Sequence, residues 1–224
     1  GLTAALLASR NFTASERSLE ASNGWGRVLS TARDYRKITD SLGDTYAISS
    51  NTFKPFACGL VMHPVIDACV QLRNEHRLRA DMIERVELRV HPRVLQLTGQ
   101  QEPQDGLQGK FSIYHAAAIA LIDGAAGVRQ FSDEAVRQPN VGTLRRHVVA
   151  VIDGAIHEDQ ARVVITTTDG RHVERFIEHA VGGIERPMSD AELTVKFAAL
   201  AEPIIPDQVQ QLVDLCWNVD RLSD

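Results

Sequence analysis

PVIDACVQLRNEHRLRADMIERVELRVH, Pro64 to His91, decides how the centre of this chain folds. Proline suits the first turn of a helix, where its missing N–H has no intrahelical acceptor, and Val65, Ala68, Cys69 and Leu72 recur on one face. The spacing predicts a helix from Pro64 to about Leu78. Val86, Leu88 and Val90 then alternate with Glu87, Arg89 and His91, the period-two pattern of a strand with one wet face. Before the helix, Ala47 to Ala57 reads as an extended strand, with Pro55 marking an edge or strand end. The reading is strand, helix, strand.

Further along, Gly99 to Gly109 is a Gln- and Gly-rich loop, and an apolar helix runs from Ile113 to Ile122 and stops at Asp123-Gly124. Ser132 caps a short helix to Val136, and Val141 to Arg146 forms another. His147 to Ile152, Ala161 to Thr168 and His172 to Glu178 read as three strands, the last two joined by the hairpin signal Asp169-Gly170. Both ends are helical. Ala4 to Ala8 continues a helix, a second turn opens at Ser15-Glu16, Gly24-Trp25-Gly26 breaks the chain, Val28 to Tyr35 is helix-like, and Asp40 to Thr45 is a loop. After a boundary at Gly182-Gly183 and Pro187, Ser189 and Glu192 form a capping box for a helix through Leu200. Pro206 opens an amphipathic helix within Ile205 to Val219. The fold class is α+β.

With 224 residues, 44% of them hydrophobic, and a net charge of −5, the chain suits one large or two modest globular domains. Lys and Arg are scattered among acidic neighbours, so no nucleic-acid partner is expected. No apolar run is long enough for a bilayer, so no membrane partner is expected either. Cys58, Cys69 and Cys216 form neither a CxxC pair nor a disulfide framework, which fits a reducing, cytoplasmic setting. His76, His91, His147, His157, His172 and His179 show no metal-binding spacing, and no phosphate-cradling glycine loop occurs. No metal and no cofactor are expected. A redox or metal-dependent enzyme is thereby disfavoured.

Two stretches place Lys and His inside apolar sequence: NTFKPFACGLVMHP, Asn51 to Pro64, and GKFSIYHAAAIALIDG, Gly109 to Gly124. Lys54, set between Phe53 and Pro55-Phe56, either reaches out to water or holds an anionic ligand. His63 stands at a helix start, where it caps the helix or meets an anion. Gly59 provides backbone freedom or close approach beside Cys58, which reads as a small buried residue. Lys110 and Ser112 either bind a carboxylate or cap the next helix. His115 is an acid or base active near neutrality, or a histidine satisfied within a packing surface.

These two stretches resemble the MmgE/PrpD family, which includes 2-methylcitrate dehydratases, cis-aconitate decarboxylases and an iminodisuccinate epimerase. The resemblance extends through GLTAALLASRNFTASERSLEASNGWG, FSDEAVRQPNVGTLRRHV and AELTVKFAALA to nearly the whole chain. It implies a carboxy-terminal portion of a longer protein, in keeping with Gly1 to Ser9 reading as the middle of a helix without an N-cap. Residues 49–184 would form a lid of mixed strands and helices, flanked by 1–48 and 185–224 as pieces of an all-helical domain whose remainder is a missing partner. Homodimers and a small polycarboxylate substrate are further expectations, as are lyases working without a metal.

The resemblance implies that Lys54 contacts a substrate carboxylate and that His115, in KFSIYH where many members show KFSLQY, fills a slot often held by an active-site tyrosine. Lys54 and His115 are the expected catalytic residues, with His63, Lys110, Ser112 and Gly59 joining Lys54 in substrate binding. The expected reaction is a 2-methylcitrate dehydratase-like proton abstraction beside a carboxylate with loss of water. The alternatives are decarboxylation, epimerisation, or a non-catalytic lid or assembly module.

Overall fold

The structure, a computed structural model, describes residues 1–221, so the last three residues of the expected 185–224 segment lie outside the described residues. The chain forms two compact units, 1–51 and 52–224.

The first unit holds three short helices, α1 (Leu2–Ala8), α2 (Trp25–Leu29) and α3 (Arg36–Thr39), and a 3-10 turn at Ala47–Ser50. The helix expected over Val28 to Tyr35 starts earlier and ends sooner. Gly24 is extended and supplies the N-cap position, and Ser30 returns to extended backbone after one turn and a half. Leu2, Trp25, Val28, Leu42 and Ile48 are all largely exposed, so this unit carries no apolar core of its own.

The strand expected over Ala47 to Ala57 does not form. Ser50 Oγ donates back to Ala47 O at 2.9 Å, which closes a turn at its beginning. The residues from 55 to 58 bend, and Pro55 has no N–H to place in a ladder.

The second unit begins with α4 (His63–His76), β1 (Ile83–Val90), α5 (Pro92–Thr98), α6 (Gly106–Gly109) and α7 (Ile113–Asp123). It continues through α8 (Asp133–Arg137), α9 (Pro139–Arg146), β2 (Val148–Ile152), β3 (Ala161–Thr167) and β4 (His172–Ile177) to α10 (Asp190–Ala201) and α11 (Val209–Trp217). The sheet order is β2-β1-β3-β4. β1 runs parallel to β2, with Val86 opposite Val148, and antiparallel to β3, with Val86 opposite Ile165. β3 and β4 pair as the expected hairpin, so the fold is α+β around a four-stranded mixed sheet.

One face of the sheet builds the core. Val86, Leu88, Val90, Val163 and Ile165 are fully enclosed together with Val65, Ile66, Ala68, Cys69 and Leu72 of α4. α7 is buried from Ile113 to Leu121 because it packs against α4, α9 and β2 at once, and Ala116, Ala117 and Ala118 keep its girth small. The opposite face of the sheet is wet: Arg89 pairs with Glu87 at 2.9 Å, and Arg162 pairs with Glu174 while its guanidinium sits 5.4 Å from the ring centre of Phe176.

The capping box at Ser189 and Glu192 is present, with Ser189 N donating to Glu192 Oε2 at 2.8 Å. The helix expected over Ile205 to Val219 divides into a 3-10 turn at Pro206–Gln208 and α11. α5 has no counterpart in the periodicity reading. Pro92 opens it, and His91 Nδ1 accepts from Arg93 N at 3.2 Å as its cap. The loop from Gly99 to Gly109 contains α6, capped by Asp105 through Gln108 N at 2.8 Å.

Candidate active site

Lys54 lies on an irregular segment held by backbone bonds to three separate parts of the second unit. Phe53 N donates to Gly182 O at 3.3 Å, Ala57 N to Ala126 O at 3.0 Å, and Gly59 N to Lys110 O at 3.4 Å. The last of these joins the two apolar stretches that the sequence marks as unusual. Gly182 has a φ of +93°, and a Cβ there would stand 2.3 Å from Phe53 O and 2.7 Å from Pro55 Cδ, so only glycine allows this approach.

Lys54 is exposed, and its Nζ donates to the Cys58 carbonyl at 3.3 Å. Lys110 is half-buried. Burial pushes the Cys58 thiol up to about 12, against the opposing pull of both lysines, Lys54 first. Two cations thus act on one turn. The thiol itself stays protonated, which agrees with Cys58 as a small buried residue rather than a nucleophile.

His63, the first residue of α4, is buried with its ring edge-on to Phe56 at 5.2 Å. Burial pulls its pKa down to about 4, Lys54 adds to that, and the Cys58 carbonyl and Asp67 pull in the opposite direction. Its Nε2 has no hydrogen-bond partner among the described residues. A buried nitrogen left unmatched costs about 1–3 kcal/mol. The N-cap position of α4 is Met62, and no side chain caps the helix there, so His63 does not serve as a cap.

Asp67, one turn along α4 from His63, was not singled out in the sequence. It is 4% exposed, and its Oδ2 accepts from Val181 N at 3.1 Å and Arg186 Nη1 at 2.5 Å, while Oδ1 accepts from Gln71 Nε2 at 2.8 Å. This carboxylate ties down the strand exit that carries Gly182, and through it the Lys54 segment. An acid inside the apolar run Val65 to Val70 was the available signal.

The remaining expected site residues have structural surroundings of their own. Ser112 is fully buried and caps α7, its Oγ accepting from His115 N at 3.1 Å. Gly59 has a φ of −61°, open to any residue, and a Cβ would meet Thr98 Cγ2 at an ordinary 3.8 Å. The expectation that it supplies backbone freedom is therefore corrected.

His115 is fully enclosed. Its Nε2 donates to Gln130 O at 2.9 Å, its ring stacks edge-on to Phe131 at 5.5 Å, and Nδ1 is unpartnered among the described residues. Burial lowers its pKa, Arg145 lowers it further, and the Gln130 carbonyl opposes both. Burial favours the neutral imidazole at both His63 and His115 and makes each a weaker base than a free imidazole.

Together, an exposed ammonium, a half-buried ammonium and a neutral imidazole with a vacant nitrogen can bind a carboxylate and receive a proton nearby. Among the described residues, no group of three His, Cys, Asp or Glu side chains could hold a metal ion. No helix among them is long and apolar enough to cross a membrane.

Residues 56–219 match the MmgE/PrpD C-terminal domain. A cis-aconitate decarboxylase of Aspergillus terreus is 24% identical over 247 aligned residues, covering 100% of this chain and 50% of that protein. A second cis-aconitate decarboxylase, from Aspergillus terreus (strain NIH 2624 / FGSC A1156), matches with the same identity and coverage. The chain spans about half the length of the curated relatives it matches. With the family's C-terminal domain covering most of the chain, this protein belongs to the MmgE/PrpD family.

Proposed function

We propose that this chain is part of a lyase acting on a small polycarboxylate, with Lys54 anchoring a substrate carboxylate and His63 accepting a proton. The observation that carries this reading is the Cys58–Gly59 turn, where Lys54, Lys110 and the His63 imidazole, bonded to the Cys58 carbonyl, come together. A polyanion would satisfy both ammonium groups, and the uncharged imidazole beside them has an open lone pair. Lid-like closure over the substrate, a missing helical domain completing the cleft, a homodimer and a cytoplasmic setting belong to the same proposal.

Two reactions fit this chemistry. In dehydration of a 2-methylcitrate-like substrate, a base takes the proton beside a carboxylate, an acid protonates the departing hydroxyl, and water leaves. In decarboxylation, the carbon–carboxylate bond breaks, its electron pair moves into the carbon skeleton, a proton is taken up and carbon dioxide leaves. The naming of both relatives as cis-aconitate decarboxylases favours keeping the second beside the first.

The test is turnover of 2-methylcitrate, citrate and cis-aconitate by the whole protein, followed by NMR so that water loss and carbon dioxide loss give different products. Lys54→Ala is expected to lower kcat/KM by about a hundredfold, the scale of one lost charge-assisted contact to a reacting anion. A wild-type rate in Lys54→Ala removes the anchor role. His63→Gln and, for the enclosed His115, His115→Gln each separate proton transfer from packing: a loss of kcat with a changed pH profile assigns proton transfer to that residue, and an unchanged kcat with lower melting temperature assigns packing. No turnover of any of the three compounds by the wild type favours the non-catalytic lid or assembly module.

A further inference from the structure

We propose that the groove between α8 and α9 is a binding site for a small polyanion, separate from the Lys54 turn. A cavity of about 390 Å³ opens there, lined by Arg137, Arg145 and Arg146 together with Gln104, Gln138 and Thr143. Among the described residues, no carboxylate lines it. Its volume falls in the range of small-metabolite pockets, too small for a folded partner or a duplex.

The three guanidinium groups are held in place by protein acceptors that leave most of their donors unused. Arg137 Nε donates to Gln104 O at 3.1 Å, Arg145 Nη1 to Val136 O at 3.4 Å, and Arg146 Nη2 to Thr143 Oγ1 at 3.3 Å. Each guanidinium carries five N–H donors in a planar fork suited to carboxylate or phosphate. Arg137 also meets Asp133 at 3.6 Å, whereas Arg145 and Arg146 have no ion pair among the described residues.

Three cations gathered around one concave space repel each other, and a bound anion relieves that repulsion. Burial and the neighbouring Arg146 lower the pKa of Arg145, with Glu102 opposing them. Glu102 lines the adjoining cavity of about 470 Å³, which shares Arg145 and Arg146 with the groove, so the carboxylate acting on Arg145 stands on that neighbouring side. The chain as a whole carries a net charge of −5, so this local excess of positive charge is against the global balance.

None of Lys54, His63, Lys110 or Ser112 lines the groove, so the site stands whether or not the lyase reading holds. The shared chemistry is a small anion with two or more negative charges, supplied either by carboxylates or by phosphate.

The experiment is calorimetric titration of the full chain with citrate and, separately, with inorganic phosphate at constant ionic strength, in wild type, Arg137→Gln/Arg146→Gln and Lys54→Ala. The expected result is binding that survives in Lys54→Ala and weakens at least about tenfold in the double arginine variant, the scale of losing one charged contact. Saturation by citrate alone identifies a polycarboxylate site, and saturation by phosphate alone a phosphate site. Absence of binding by either probe, or affinity unchanged in the double variant, overturns the proposal. If the double variant loses its fold, as read by its melting curve without ligand, Arg146→Gln alone serves, because that side chain bonds only to Thr143 within its own helix.

Discussion

Arg186 reaches across 119 residues of sequence to donate through Nη1 to Asp67 Oδ2 at 2.5 Å. The same oxygen accepts from Val181 N, so one buried carboxylate fastens the exit from β4 onto α4. Phe53, beside Lys54, hangs on Gly182 in that fastened segment.

Asp67→Asn is expected to destabilise the chain by about 2 kcal/mol, since one acceptor oxygen and the charge facing Arg186 are lost from a buried position. Urea denaturation gives the magnitude. Hydrogen exchange gives the location: the amides of Phe53 and Val181 should exchange faster in the variant while those of the β1–β3 ladder keep their protection. Equal loss across the sheet would show that Asp67 supports the core and not the Lys54 segment.

Glycine substitutions should separate two positions that look alike in sequence. Gly182→Ala forces a side chain into the left-handed region and against Phe53 O, at a cost of at least about 2 kcal/mol. Gly59→Ala should change stability by less than about 1 kcal/mol, because its backbone and surroundings already admit a Cβ. Thermal melts of the two variants settle the comparison. A loss of turnover in a stable Gly59→Ala would then report substrate approach to the turn.

His63 makes stability depend on acid. Its folded pKa of about 4 lies below the ordinary 6.5, so the unfolded chain takes up the proton first as pH falls. Above 6.5 both states are neutral at this residue and its contribution is flat. Between those values stability drops, by on the order of 3 kcal/mol in all for this group, and below the lower one the loss levels off. Burial of His115 acts in the same direction. Urea midpoints at about pH 7 and about pH 5 should differ less in His63→Gln than in the wild type, and an equal difference would remove His63 as the cause.

Thiol labelling should follow exposure. Cys216 is exposed, whereas burial raises the pKa of both Cys58 and Cys69. At about pH 8 burial keeps Cys58 as the thiol, so iodoacetamide should modify Cys216 first, with Cys58 and Cys69 reacting only on unfolding. Mass spectrometry of the labelled peptides reads this directly. Rapid labelling of Cys58 in the folded chain would contradict its enclosed place beside Lys54.

Elements whose signal is local were legible from the residues alone. The period of β1, the Asp169-Gly170 hairpin, the capping box of α10 and the apolar run of α7 all depend on neighbours within a few positions. The stretch around Lys54 misled for the same reason. Its aromatic and β-branched residues suit a strand, but Pro55 denies a ladder, and long-range bonds to Gly182, Ala126 and Lys110 fix its irregular path instead.

His115 shows the other side of that division. The sequence marks an imidazole within an apolar helix but not which way it faces, and packing against α4, α9 and β2 leaves no wet side on α7. Residue order alone determined the α+β class, the helix and strand periods and the family. The tertiary structure decided that Lys54, His63 and Lys110 meet at one turn, that His115 is enclosed, that Asp67 joins α4 to Val181 and Arg186, and that Arg137, Arg145 and Arg146 line one groove. The reason is physical: hydrogen-bond geometry and side-chain period act over a few residues, whereas burial and charge proximity exist only once distant segments have packed.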